Sequence, residues 1–219
     1  MNTLFITATN TDVGKTYVTL KLIEAFATHG LNVGVFKPIE TGVIHTAPDA
    51  TILLEACQKV NKHFKPLKVS DITAYTFPLP AAPFCADTKN IIQIEEILKK
   101  YHKLSKLCDI LLVEGAGGLH VPITKTFNMI DLIVKLNIKT LLVTPSRLGC
   151  INDTLLSMEA LKSRNITFDW CVNLHEDKED FTKVTQPYYD AMFPKWWSVQ
   201  NGLNTSSLVS QLMMNNTLK

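Results

Sequence analysis

Residues Thr3–Thr16 read TLFITATNTDVGKT. An apolar run, Thr3–Ala8, gives way to a short polar segment, and Gly14-Lys15-Thr16 then opens a stretch of helical periodicity. Val18, Leu22, Ala25 and Phe26 share one face of a helix expected over Tyr17–His29, and Gly30 supplies its stop. Gly-Lys-Thr alone is a weak sign. At the junction of a first strand and a first helix it is the pattern of a phosphate-binding loop, where backbone N–H groups at the helix start surround a polyphosphate. Lys15 is then placed to reach the β- and γ-phosphates and Thr16 to hold Mg²⁺. The spacing departs from the usual one: Ala8 stands where a leading glycine is expected, with five residues before Gly14.

The alternation continues outward from this stretch. Strands are expected at Asn32–Phe36, Ile72–Phe77, Asp109–Val113, Lys139–Thr144 and Thr167–Asn173. Asp49–Val60 is helix-like. Ile94, Ile97, Leu98 and Tyr101 fit the helix template, as do Met129, Leu132, Ile133 and Leu136, and then Ile151, Leu155, Met158 and Leu161. This order predicts an α/β, P-loop NTPase-like fold with a mainly parallel sheet and helices on both faces. One domain over residues 1–219 is expected, the tail after about residue 198 being left open. Phe77–Phe84, with three prolines, is expected to be irregular.

Composition narrows the function classes. Hydrophobic residues make up 46% and charged residues 19%, which excludes a disordered chain. A net charge of +2 gives no reason to expect nucleic acid as a partner. Trp196–Leu218 is uncharged but crowded with Ser, Thr, Asn and Gln, so no membrane span is expected. Five cysteines without a CxxC, and no basic residue before Lys15, suit a cytoplasmic protein. The six histidines are scattered and read as structural or exposed, and no histidine lies close to Cys150 to make it a nucleophile.

Three further segments carry candidate chemistry. Glu114 follows a buried strand and precedes Gly115-Ala116-Gly117-Gly118, a Walker-B-like carboxylate with a glycine-rich turn. It points to the crevice of the phosphate loop and would bind Mg²⁺ directly or through water; the alternative is a turn that merely needs glycines. Lys37 ends the second strand, where it would offset charge on a phosphoryl or carboxylate group, or else be an ordinary surface lysine. Pro145–Thr154 joins a strand to a helix. It is either an anion site of backbone N–H groups or a plain loop with Asn152 as helix cap.

Together these segments resemble the dethiobiotin synthetase family. Thr11-Asp12-Val13-Gly14-Lys15-Thr16 is similar to its T-[ED]-V-G-K-T loop, Lys37-Pro38-Ile39-Glu40-Thr41-Gly42 to its K-P-[VI]-x-[ST]-G, and Pro48-Asp49-Ala50 to its x-D-A metal site. Pro80-Ala81-Ala82-Pro83 is similar to its P-x-[SA]-P, Glu114–Gly118 to its E-G-A-G-G, and Gly149-Cys150-Ile151-Asn152 to its L-G-x-[IL]-N helix start. The resemblance implies a homodimer that makes a cyclic urea from 7,8-diaminononanoate, CO₂ (from bicarbonate) and ATP with Mg²⁺, through a carbamate and a carbamic–phosphoric anhydride. It implies catalytic roles for Lys37, Lys15 and Thr11, and a metal held by Thr16, Asp49 and Glu114. The nucleotide would meet Asp12, Val13, Gly14, Lys15, Thr16, Tyr17, Asp49, Glu114, Gly115, Ala116, Gly117 and Asn173. The substrate would meet Thr11, Lys37, Thr41 and Gly118, and its carboxylate Gly149, Cys150, Ile151 and Asn152, supplied by the partner subunit. Beyond Asn173 the segment Phe193–Trp197 is unlike the family, so loose selection of the base is expected, with tryptophans either stacking on it or belonging to core or dimer contacts. Two other classes compete: another ligase or amidotransferase component with this loop, and a nucleotide-switched dimeric ATPase of the partition or septum-positioning type. Against the latter, Asn10 stands where its signature lysine belongs, and the tail carries no basic amphipathic helix.

Overall fold

The computed structural model describes residues 2–175, 178–199 and 205–214. Its strands are β1 (Asn2–Ala8), β2 (Val33–Phe36), β3 (Ile39–Thr41), β4 (Tyr75–Phe77), β5 (Ile110–Gly118), β6 (Pro122–Thr124), β7 (Phe127–Asn128), β8 (Lys139–Pro145), β9 (Phe168–Asn173) and β10 (Trp197–Val199). Six of them form the central sheet in the order β10-β9-β8-β1-β5-β2. Every neighbouring pair is parallel. Phe5, Ile6, Leu111, Leu112, Val113, Leu141, Leu142 and Val143 are buried on alternating faces, as a sheet covered on both sides requires. The cover comes from α1 (Lys15–Thr28), α2 (Pro48–Val60), α3 (Ile94–Leu104), α4 (Met129–Leu136), α5 (Cys150–Ser163), α6 (Gln186–Met192) and α7 (Thr205–Met214). On α3, Ile97, Tyr101 and Leu104 face inward, while Lys99 and Lys103 face water.

Chain order fixes the site. From β1 the chain passes through α1 to β2 on one side, while β8 pairs with β1 on the other. Connections thus diverge at the carboxyl end of β1, the place where open α/β sheets bind ligands.

Four expectations need correction. Ile72–Phe77 is not a strand of the main sheet. Val69–Ile72 is a helical turn, its entry fixed by the Lys68 N–H donating to Asp71 Oδ2 at 2.9 Å, and only Tyr75–Phe77 is extended, pairing with β3 in a separate two-stranded sheet. The segment after Glu114 is not a turn, because β5 runs on through Gly118 to pair with Ala8 after an irregularity in the register. Glycines suit this close approach: a Cβ on Gly118 would lie 3.0 Å from the Thr9 carbonyl oxygen. Asn152 does not cap the helix after β8. That helix starts at Cys150, and Gly149, at φ +94°, is its N-cap. Finally, Pro83–Ala86 forms one helical turn that starts at the end of the proline-rich segment, with Pro83 where a missing N–H does no harm.

The tail has structure that its polarity hides. β10 extends the sheet beside β9, and α7 packs against α1 through buried Leu208, Val209 and Leu212.

Candidate active site

At the carboxyl end of β1 the chain turns sharply. Asp12 and Gly14 both take positive φ, and the N-cap Gly14 leads into α1 at Lys15. Gly14 is required twice over, since a Cβ there would fall 2.2 Å from Asn173 Nδ2. Asn173, at the end of β9, donates from that nitrogen to the Val13 carbonyl at 3.0 Å. Its Oδ1 is buried and finds no partner among the described residues.

Lys15 is buried and donates to the Asn10 carbonyl at 3.2 Å. Burial, then the neighbouring charge of Lys37, lowers its pKa to about 8. Lys37 leaves β2 just before Pro38 and is buried too. Its Nζ lies 2.6 Å from Glu114 Oε1 and 2.8 Å from Asp49 Oδ2. Burial alone would lower its pKa, but Glu114 and Asp49 outweigh it and hold the ammonium above the ordinary lysine value. Asp49 is likewise depressed despite its burial, chiefly by Lys37.

Glu114 is fully buried and saturated with donors. Thr16 Oγ1 donates to its Oε1 at 2.9 Å, and Thr19 Oγ1 to its Oε2 at 2.6 Å. Oxygens of Thr16, Asp49 and Glu114 therefore gather about one point, which the Lys37 ammonium shares. Two carboxylates and a hydroxyl, with phosphates to complete the shell, are a donor set that fits Mg²⁺.

A cavity of about 880 Å³ opens over this cluster. Thr11, Asp12, Gly14, Lys15, Thr16, Tyr17, Lys37, Thr41, Asp49, Ala116, Gly117 and Asn173 all line it. Val13, Glu114, Gly115 and Gly118 lie behind the lining, Glu114 reaching forward only through its hydrogen bonds. Gly149, Cys150, Ile151 and Asn152 do not line it. They start α5 beyond β8, near a second cavity of about 220 Å³ edged by Ser146, Leu148 and Val184. Trp196 and Trp197 are absent from the large cavity's wall as well. Trp196 belongs to an aromatic cluster with Trp170 and Tyr189, and Trp197 sits under Lys195. Both tryptophans are half-buried and pack against the core.

Sequence reasoning missed several residues here. Thr19 is one turn past the loop and looks like any small helix residue. Glu40 is buried beside Thr41, its two oxygens each accepting a backbone N–H, and burial raises its pKa. Leu174, His175, Lys178 and Val199 also border the cavity. His175 belongs to a set read as structural or exposed, and no spacing rule marked it.

The model of the AAA domain family matches residues 2–180. An ATP-dependent dethiobiotin synthetase of a Sulfurovum species is 71% identical, the match covering 93% of this chain and 97% of that protein. One from Wolinella succinogenes is 38% identical, covering 86% and 88%. Among solved structures, a GTPase from Pyrococcus abyssi aligns with a TM-score of 0.63 at 11% identity over 100% of this chain and 98% of its own. The MinC:MinD cell division complex of Aquifex aeolicus aligns at 0.55 and 18%, covering 97% and 85%. At such identities these structures speak for the P-loop NTPase-like fold alone.

Proposed function

The chain belongs to the ATP-dependent dethiobiotin synthetases, which are ligases, and from that premise we propose that it closes a ureido ring on 7,8-diaminononanoate with CO₂ and ATP. One amine adds to CO₂ and loses a proton, giving a carbamate. A carbamate oxygen attacks the γ-phosphorus, the bond to the β,γ-bridging oxygen breaks, and ADP leaves. The second amine adds to the carbonyl carbon of the mixed anhydride and loses a proton, and phosphate departs as the ring closes.

The substrate carries both nucleophiles, so the protein has to position reactants and offset charge. We assign Lys15 to the β- and γ-phosphates and Lys37 to the carbamate and the transferring phosphoryl oxygens. Thr11 and Thr41, at the cavity wall, would hydrogen-bond the diamine. Thr16, Asp49 and Glu114 would hold Mg²⁺, which when bound neutralises phosphate charge. The amides of Gly149–Asn152 lie outside the cavity of their own chain, so we assign them to the substrate carboxylate of a second copy in a homodimer. Leu148, 79% exposed, and Val184, 58% exposed, are apolar surface beside that loop and support such pairing. The unpartnered Asn173 Oδ1 is assigned to the 6-amino group of adenine, a donor that the 4-amino group of cytosine can imitate and the 6-oxo group of guanine cannot.

The observation that carries this reading is the buried Lys37 held between Glu114 and Asp49 at the mouth of the phosphate loop. A switch ATPase needs no such cation facing a second substrate. The test is whether hydrolysis of ATP depends on the diamine. ADP release that requires 7,8-diaminononanoate and bicarbonate supports a ligase. Release that proceeds without them and rises with DNA or lipid vesicles contradicts it.

A further inference from the structure

We propose that Glu40 is a positioning residue: capping α2 from the neighbouring strand β3, it holds Asp49 in the orientation that binds the metal. The inference rests on the metal site proposed above.

The start of α2 is poorly served by its own sequence. Its N-cap is Ala47, which has no side-chain acceptor, and Pro48 follows. The next two N–H groups, of Asp49 and Ala50, are among the donors a helix start leaves unpaired. Glu40 takes both: Oε1 accepts from Asp49 N–H at 2.9 Å and Oε2 from Ala50 N–H at 2.9 Å. Glu40 is only 4% exposed.

A Ser at position 47 would cap this helix without burying a carboxylate. A buried acid reaching across from β3 does something a local cap does not. It fixes the backbone of Asp49 relative to the strand that begins two residues after Lys37. The Asp49 side chain thereby meets Lys37 Nζ at 2.8 Å, on the same cluster as Glu114. Partners that orient a metal-binding carboxylate commonly contribute about 10–100-fold to metal affinity.

The experiment titrates Mn²⁺ against the full chain with a non-hydrolysable ATP analogue, reading free Mn²⁺ by EPR, and records Tm in parallel. Glu40→Gln keeps the size but turns an amide donor toward one N–H. Glu40→Asp keeps the charge but is too short to bridge both. Each is expected to weaken Mn²⁺ binding about tenfold while leaving metal-free analogue binding within about twofold. In an Asp49→Asn background the same changes should then have no further effect. Unchanged Mn²⁺ affinity in Glu40→Asp, or additive losses in the double variants, would overturn the inference while leaving the metal site standing. Unchanged affinity in Asp49→Asn alone would overturn the metal site, and this inference with it. Because Glu40→Asp retains the buried charge, it provides the reading should Glu40→Gln fail to fold.

Discussion

Two buried regions flank the carboxyl end of β1, and they are built by opposite means. Toward β5 and β2 lie four charges, Lys37 paired with Asp49 and Glu114 at hydrogen-bond distance and Lys15 bonded to the Asn10 carbonyl. Toward β9 and β10 lies a knot of rings. Trp170 packs edge-on against Tyr189 and Phe193 at 4.9 Å each and stacks with Trp196 at 6.3 Å. The charged side is costly to bury and is kept together by mutual pairing. The aromatic side is favourable to bury and needs only shape. Lys37 and Asn173 show the consequence: the first is an ammonium held in an electrostatic cage, the second a polar group carried at the end of a strand that hydrophobic packing holds in place. The charged side should govern turnover and the aromatic side stability.

The largest expected effect lies on the charged side. Lys37→Gln should lower kcat by about a thousandfold while shifting KM for ATP by less than about threefold, as for loss of a group acting mainly in the transition state. A change confined to KM, seen in steady-state kinetics, would move Lys37 to ground-state binding. Lys15→Ala should also abolish turnover, and Lys15→Arg should not restore it, because a planar fork does not replace a compact ammonium.

On the aromatic side Trp170→Ala should cost about 3–5 kcal/mol of stability, read from denaturant unfolding. At a temperature where the variant stays folded, kcat should remain within about threefold of the parent. A collapse of kcat in the folded variant would erase the division between the two regions.

A pH profile sharpens the comparison. With its pKa lowered to about 8, free Lys15 loses its proton above that pH, so kcat/KM for ATP should fall between about pH 8 and 9. The stability sign is opposite. The folded pKa lies below the ordinary lysine value, so the penalty of burying this charge is full below about pH 8 and is relieved as pH rises toward 10.5. A flat kcat/KM across pH 7–9.5 would contradict the burial of Lys15.

The smallest effect concerns the base. One amide acceptor should favour ATP and CTP over GTP and UTP by about tenfold or less in kcat/KM. A preference for ATP above about a hundredfold would show a base pocket richer than Asn173.

The same division explains what could be read beforehand. The charged side is written in local spacing: Gly14-Lys15-Thr16 after an apolar strand, Lys37 before a proline, Glu114 before glycines. Gly14-Lys15-Thr16 follows the loop after β1 and Lys37 follows β2 directly, so alternation of strand and helix locates both, whereas Glu114 lies inside β5 and is marked by the glycines after it. Glu40 and Thr19 act through contacts across 9 to 95 residues of sequence, and no period marks them. The aromatic side has no periodic signature either, because its rings come from β9, a π-helical turn at Phe181–Thr185, α6 and the approach to β10. A polar tail is extended into the sheet by three pairs with β9, from Trp197 with Cys171 to Val199 with Asn173. Trp197 and Val199 favour a strand, but three residues in a polar tail give too short a run to mark one, and pairing with β9 makes it.

Joining CO₂ to a diamine with ATP is the activity proposed for the charged cluster. The direct measurement is mass spectrometry of a reaction containing the protein, 7,8-diaminononanoate, ATP, Mg²⁺ and ¹³C-bicarbonate. A cyclic urea carrying a single labelled carbonyl is expected, formed in step with ADP and phosphate and missing with Lys37→Gln. ADP accumulating with the diamine recovered unlabelled would contradict it.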